Sequence, residues 1–467
     1  MSDAEFPHSA ELVEQALAVA NGPTVAYATE QSETNLRWAG SALTTNGEMS
    51  STELTVVATA AVDGGVGVGT VSQQLVDASQ VADLVTLAET AAKSSPPSPD
   101  AASLVEASEP RPYEEFQIPA ERTSIEVLAQ LARDLGMAFA DSAGRNQRLY
   151  GFAEHSVATT YLGTSTGVRR RGVQPTGRLE LNAKSTDGSR SAWAGAASRN
   201  FADVDVSSLV ADLATRLGWA ERRVDLPPGR YETILPPGAV ADLMIYAWWT
   251  ANARDAEEGQ NAYAAPAGDT KIGTTMSDLP LRLCSDPGYP GLECVPFVDF
   301  GQAPDGTSFS FDLGLPIDRT DWMVDGVWHE LIRNRAWAEH TGRQATPPAD
   351  NLILDGGGRA SLAQMVADTE RGLLLTCLWY IREVDPERLL LTGLTRDGVY
   401  LVEDGEVTGA VNNFRFNESP LELLGRITEV GATEKVLCRE WNDFVNRTAM
   451  PPIRVPDFNM STVSQAS

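Results

Sequence analysis

The sequence predicts an α+β protein, with helix-flanked sheets in the N-terminal half and a strand-rich C-terminal domain. Two patterns predict this. Residues 10–92 and 123–217 each run helix, strands, helix, so one αβ…βα order is given twice. From residue 228 onward, short apolar runs punctuated by Gly, Pro and Asp dominate and helical spacing becomes rare. At 467 residues the chain can bury two or three cores. The expected division is 1–93, a linker over 94–116, a second αβ block over 117–227, and a C-terminal domain over 228–467.

In chain order, Ala10–Ala20 has helical apolar spacing and stops at Gly22-Pro23. Strand-like runs follow at Thr24–Ala28, Asn35–Ala39 and Glu53–Ala61. Gly64-Gly65-Val66-Gly67-Val68-Gly69 is a turn into a short strand. No Lys-Ser/Thr follows to make a phosphate loop, and its alternating glycines suit a bulge or close packing. Leu75–Ala92 reads as a helix, and the Ser/Pro/acid-rich Ser94–Pro112 as a connection. The second block offers a helix over Thr123–Ala140, strands at Leu149–Leu162, Arg178–Ala183 and Ser191–Ala197, and a helix over Val206–Leu217. Pro227-Pro228-Gly229 punctuates the boundary. Beyond it, Leu362–Arg371 and Ser419–Ile427 are the helical exceptions among strands.

A net charge of −28 removes the main driving term for binding a phosphate backbone, so no nucleic-acid partner is expected. The one basic cluster, Arg169–Arg171, is too short for a footprint and suits pairing with local carboxylates. No run approaches the roughly 18 apolar residues of a membrane-spanning helix. Met1–Pro7 lacks the basic and apolar regions of a secretory signal, so the expected location is cytoplasmic. Cys284, Cys294, Cys377 and Cys438 form no Cys-x-x-Cys pair and read as reduced, partly buried thiols.

The most specific stretch is Arg371–Glu406, RGLLLTCLWYIREVDPERLLLTGLTRDGVYLVEDGE. Gly372–Trp379 is an apolar β run, and Val399–Glu403 a second strand closed by an Asp404-Gly405 turn. Upstream, Arg230–Leu235 is a strand leading into Pro236-Pro237, and Asn351–Gly358, with Ser361 shortly after, is a strand into a short helix. These segments resemble the C-terminal region of the TldD/PmbA (TldE) family of metallopeptidase-related proteins. The resemblance is specific from about Tyr231 onward and rests on element order before that.

In that family, TldD-type subunits carry His-Glu-x-x-x-His on a helix and hold the catalytic metal, whereas TldE/PmbA-type subunits lack it. Two imidazoles from one helix turn must converge on the ion while a glutamate serves metal-bound water. Here the matching helix is Ala239–Ala251, and Tyr246 and Ala251 fall where the histidines would stand. A third ligand, a cysteine, would fall near Arg396. The four histidines are His8, His155, His329 and His340. His329-Glu330 is followed by Arg333 and Asn334 and so completes neither zinc motif; a half-exposed turn with His329 packed through its ring is the expected setting. No Gly-x-Ser-x-Gly elbow is present, Cys377 sits in an apolar run, and Asp318, Asp321 and Asp325 read as a solvated face.

No catalytic or metal-binding residue is therefore assigned to this chain. What the resemblance implies is a metal-free, TldE/PmbA-like subunit. Its TldD-type partner, carrying His-Glu-x-x-x-His, would supply zinc or a similar divalent metal, and the pair would enclose a channel for extended peptides or peptide-like substrates. The reaction implied is amide-bond hydrolysis, in proteolysis or in peptide natural-product biosynthesis. Tyr246, Trp248 and Trp249 are the candidate partner or channel contacts, weighed against burial in the chain's own core. The alternatives are an independent, divergent hydrolase and a non-enzymatic binding or regulatory protein.

Overall fold

The computed structural model describes residues 8–74, 77–107, 115–304 and 306–464. The start of the expected Leu75–Ala92 helix, part of the 94–116 linker and Met1–Pro7 lie outside them. The fold is α+β, as the sequence predicts.

Six long strands build the N-terminal sheet: β1 (Thr24–Trp38), β2 (Leu43–Val62), β3 (Gly65–Gln74), β4 (Gln147–Thr164), β5 (Arg169–Ser185) and β6 (Ser191–Ser198). Their spatial order is β3-β2-β1-β4-β5-β6, antiparallel throughout. The two αβ segments contribute three strands each, joined by β1 against β4 from Val25↔Thr164 to Trp38↔Gly151. Alternation along β1 explains its length. Ala26, Ala28, Leu36 and Trp38 are buried on one face, while Gln31, Glu33, Asn35 and Arg37 between them point to the other. The polar residues that divide two apolar runs in the sequence are thus one continuous strand with a wet face.

Helices cover the apolar face. α1 (Ser9–Val19) and α2 (Val81–Ser94) pack on Ala26, Ala28, Leu54, Val56 and Tyr161. α3 (Ala129–Gly144) and α4 (Val206–Trp219) pack on Leu149, Ala153, Leu179 and Leu181. The alternating glycines of β3 allow α2 to lie directly on the strand. A Cβ at Gly67 would stand 2.2 Å from the Ala92 carbonyl oxygen, and one at Gly69 would stand 2.2 Å from that of Ala88.

The C-terminal half holds two further large sheets, besides a two-stranded pair of Ala264–Ala265 with Asp269–Thr270. The larger runs Leu378–Asp385, Leu390–Thr395, Phe414–Glu418, Ile453–Val463, Gly229–Leu235, Arg371–Leu375, Val399–Glu403, Glu406–Val411 and Arg223–Val224, with Glu429–Val430 also on Ile453–Val463. The smaller contains Arg282–Ser285, Thr320–Val324 and Leu352–Asp355. Asp404 (φ 52°) and Gly405 (φ 81°) make the expected left-handed turn between Val399–Glu403 and Glu406–Val411. The apolar run Gly372–Trp379 is not one strand, however. It breaks at Thr376-Cys377, where Thr376 bonds the Gly398 carbonyl through its main chain and its hydroxyl. Its halves enter the sheet several strands apart. The helical expectations also shorten, to Leu362–Ala367 and Pro420–Leu424.

Gly69→Ala should destabilise the N-terminal sheet by about 1–3 kcal/mol, the usual cost of overpacking a tight contact. Chemical denaturation checks this, with Gly136→Ala as a control because a Cβ at Gly136 meets nothing within 4 Å.

Candidate functional site

The strand Gly229–Leu235 feeds α5 (Pro237–Trp249), which carries the positions of interest. Pro237 sits in the first turn, where the missing N–H costs nothing and the fixed φ favours the helix. The sequence PGAVADLMIYAWW is apolar nearly all round, as a helix buried on every side requires. Asp242 is its one charged residue and is fully buried.

That carboxyl group organises a loop. Asp242 accepts the main-chain N–H of Glu440 at 2.8 Å and of Arg439 at 3.3 Å, and its carbonyl accepts the Trp441 indole N–H at 2.9 Å. Burial pushes its pKa up to about 8, against the opposing pull of the N–H donors. The three loop residues then act outward. Arg439 pairs with Glu180 of β5 at 2.8 Å and lies over Trp193 of β6 (4.9 Å) and Trp379 (4.5 Å). Trp193 donates its indole N–H to the same Glu180 at 2.9 Å. Glu440 accepts the N–H of Tyr380 at 3.0 Å and of Ile381 at 2.9 Å. Tyr380 is left-handed (φ 54°), and the two successive donors meet one carboxylate. Trp441 receives two rings of α5, Tyr246 at 5.5 Å and Trp249 at 5.3 Å.

The three rings singled out in the sequence therefore do not share a surface. Trp248 is 3% exposed and packs on Trp322, so it belongs to the chain's own core and cannot meet a partner. Tyr246 and Trp249 are half-buried. Trp249 also meets Phe444, which is 70% exposed. Ala251 is fully buried and its carbonyl accepts the Ile332 N–H at 2.7 Å. Arg396 lies at the surface, 3.7 Å from Asp397. His329 is exposed beyond the strand Val327–Trp328, not half-buried through its ring, because its main-chain N–H bonds the Trp322 carbonyl and turns the side chain outward. His340 is exposed and stacks on Trp337 at 4.7 Å. Asp318 and Asp325 are exposed, and Asp321 pairs with Arg319. Among the described residues, no group of three or more His, Cys, Asp or Glu could hold a metal ion. Burial pushes the Cys377 thiol up to about 12, which keeps it protonated and unreactive. Asp242, Arg439 and Glu440 were not singled out in the sequence; the one signal was a lone carboxylate inside an apolar helix.

This is positioning chemistry: a helix, a loop and a sheet edge locked by buried hydrogen bonds and the Arg439–Glu180 ion pair around half-buried aromatics. A sequence model described as the PmbA/TldA metallopeptidase C-terminal domain matches residues 228–462, the half of the chain that carries this assembly. The chain belongs to that metallopeptidase family. Among solved structures, TldE from Thermococcus kodakarensis is 18% identical, with a TM-score of 0.73 over 96% of this chain and 98% of its own. A candidate modulator of a DNA gyrase from Thermotoga maritima is 17% identical, with a TM-score of 0.74 over 96% and 99%. Another from Bacteroides thetaiotaomicron is 12% identical, with a TM-score of 0.72 over 97% and 98%. At these identities the likeness is one of fold. No curated protein matches the sequence.

Two outcomes test the site. Asp242 has a folded pKa raised above the unfolded carboxyl value, so the unfolded state gives up its proton first. Stability from this group should fall as pH rises from about 4 to 8. Asp242→Asn should flatten that part of the profile, read as urea midpoints of both proteins at pH 5 and pH 8. Separately, Trp248→Ala should cost about 3–5 kcal/mol of fold stability as a core truncation, and Phe444→Ala much less.

Proposed function

We propose that this chain is the metal-free subunit of a two-subunit metallopeptidase of the TldD/TldE type. The observation that carries the reading is α5. At the positions expected for histidine ligands stand Tyr246 on this helix, packed on Trp441, and the buried methyl of Ala251, which lies past the helix end at Trp249. A methyl group donates nothing to zinc, and no imidazole or thiolate accompanies the phenol on this helix. These residues do not fit the metal, so no catalytic step is routed through this chain. A TldD-type partner carrying His-Glu-x-x-x-His would supply metal and general base, and this subunit would complete a channel for extended peptides or peptide-like substrates.

Among the described residues no helix is long and apolar enough to cross a membrane. The acidic surface argues against direct DNA contact, despite the gyrase-modulator names among the structural relatives.

Purified alone, the chain should carry no stoichiometric zinc and cleave no peptide from a mixed library. Co-expressed with a His-Glu-x-x-x-His subunit it should co-purify and gain chelator-sensitive cleavage. Elemental analysis and mass spectrometry of the library give the answer. Robust, chelator-insensitive cleavage by this chain alone would refute the reading and make it an independent hydrolase.

A further inference from the structure

A sheet edge invites pairing, and this chain covers its edges with some consistency. The outer strand Leu378–Asp385 is sealed by the Glu440 carboxylate on two N–H groups and by Arg382 on the Ile381 carbonyl. At β3, the Ser98 N–H bonds the Val66 carbonyl. β6 lies against the segment around Leu437, and Ser191 at its start bonds Asp397. Trp328 exchanges main-chain bonds with Gly273 and Thr274. Arg223–Val224 and Glu434–Val436 are only two and three residues long.

One exception is the first part of β2. β3 pairs β2 only from Glu53 to Val62, so among the described residues Leu43–Ser50 has β1 on one side and no strand on the other. Among the described residues, no main-chain hydrogen bond of Leu43–Ser50 outside the β1 ladder is present. The stretch LTTNGEMS contains no proline or lysine, the usual protections of an edge. Its one charge, Glu48, is engaged by the Ile125 N–H at 2.6 Å. Leu43 and Met49 are 54% and 59% exposed.

The geometry points to Leu43–Ser50 as a strand-addition site for an extended, basic peptide segment. Main-chain pairing tolerates many sequences, which suits small, uncharged Thr, Asn, Gly and Ser neighbours. Permanent subunit interfaces instead concentrate large apolar and aromatic groups, of which this edge offers only Leu43 and Met49. A second copy would bring −28 against −28, whereas the same charge attracts a cationic peptide. Met49 also faces Glu33 across the ladder, adding a carboxylate beside the edge. The inference deepens the proposed function by locating where this subunit would hold its peptide.

The experiment uses the isolated full-length chain and a fluorescein-labelled, proline-free decapeptide of alternating lysine and valine in about 0.15 M salt, where long-range attraction is screened. Anisotropy should show binding, and hydrogen exchange should slow within residues 43–50. The same peptide N-methylated at alternate residues keeps its charge but loses donors, and should bind about tenfold more weakly or worse. Because successive residues alternate the side their N–H faces, one of Met49→Pro and Ser50→Pro removes only an outward donor. The variant with the unchanged melting temperature is the informative one and should lose binding to the same degree. Glutamate in place of lysine should abolish binding. No binding, equal binding of the N-methylated peptide, or undiminished binding by the stable proline variant would each overturn the proposal. So would a concentration-dependent dimer broken by that variant, which would give the edge to a second copy. Since no partner is present, these outcomes stand apart from the co-expression assay: an inactive pair would remove the peptidase reading and leave the edge result standing.

Discussion

The buried carboxyl of Asp242 is the constraint on which the arrangement of the two halves depends. It lies inside an apolar helix and fixes the backbone of Arg439 and Glu440. From there Arg439 reaches Glu180 on the N-terminal sheet and Glu440 reaches the outermost strand of the C-terminal sheet. Helix, N-terminal sheet and C-terminal sheet thus meet through one loop of a few residues. The chain of contacts is strong because each charged member is both desolvated and hydrogen-bonded, the condition under which such groups hold a geometry well. Around it, Arg178 bonds Asn442 at 2.6 Å and also engages Asp443, extending the seam along β5.

Much of the architecture was legible because period and punctuation are local properties. The Asp404-Gly405 turn, the strand Val399–Glu403 and the helices at Val206 and Ser9 follow directly from residue pattern. The misread elements share one cause. β1 was divided by polar residues that face the open side of a sheet, and only the identity of its neighbours makes them strand. Gly372–Trp379 was joined across Thr376-Cys377 because apolar character says nothing about which strand comes next in space. The alternating glycines of β3 were legible as close-packing positions, but not the helix that approaches them.

The site divides in the same way. That Tyr246 and Ala251 occupy the positions where the resemblance sets histidines could be read from sequence spacing alone. Which ring faces where could not: Trp248 and Trp249 are adjacent in sequence, yet a helix turns successive residues about 100° apart and sends them to different surroundings. The partners of Asp242 lie almost two hundred positions away, beyond the reach of any local pattern.

The pairing of the C-terminal sheet has a consequence for how the protein comes into being. Gly229–Leu235 lies at its centre between Arg371–Leu375 and Ile453–Val463, and Gly229 pairs with Met460. Its neighbours therefore emerge from the ribosome long after it does. During that interval the N-terminal sheet, whose six strands are all complete by Ser198, can already close. Such distant pairings fold slowly, and transiently bare strands are the species most exposed to misassembly. Synthesis should thus pass through a state with one finished half and one waiting half, a natural client for chaperones.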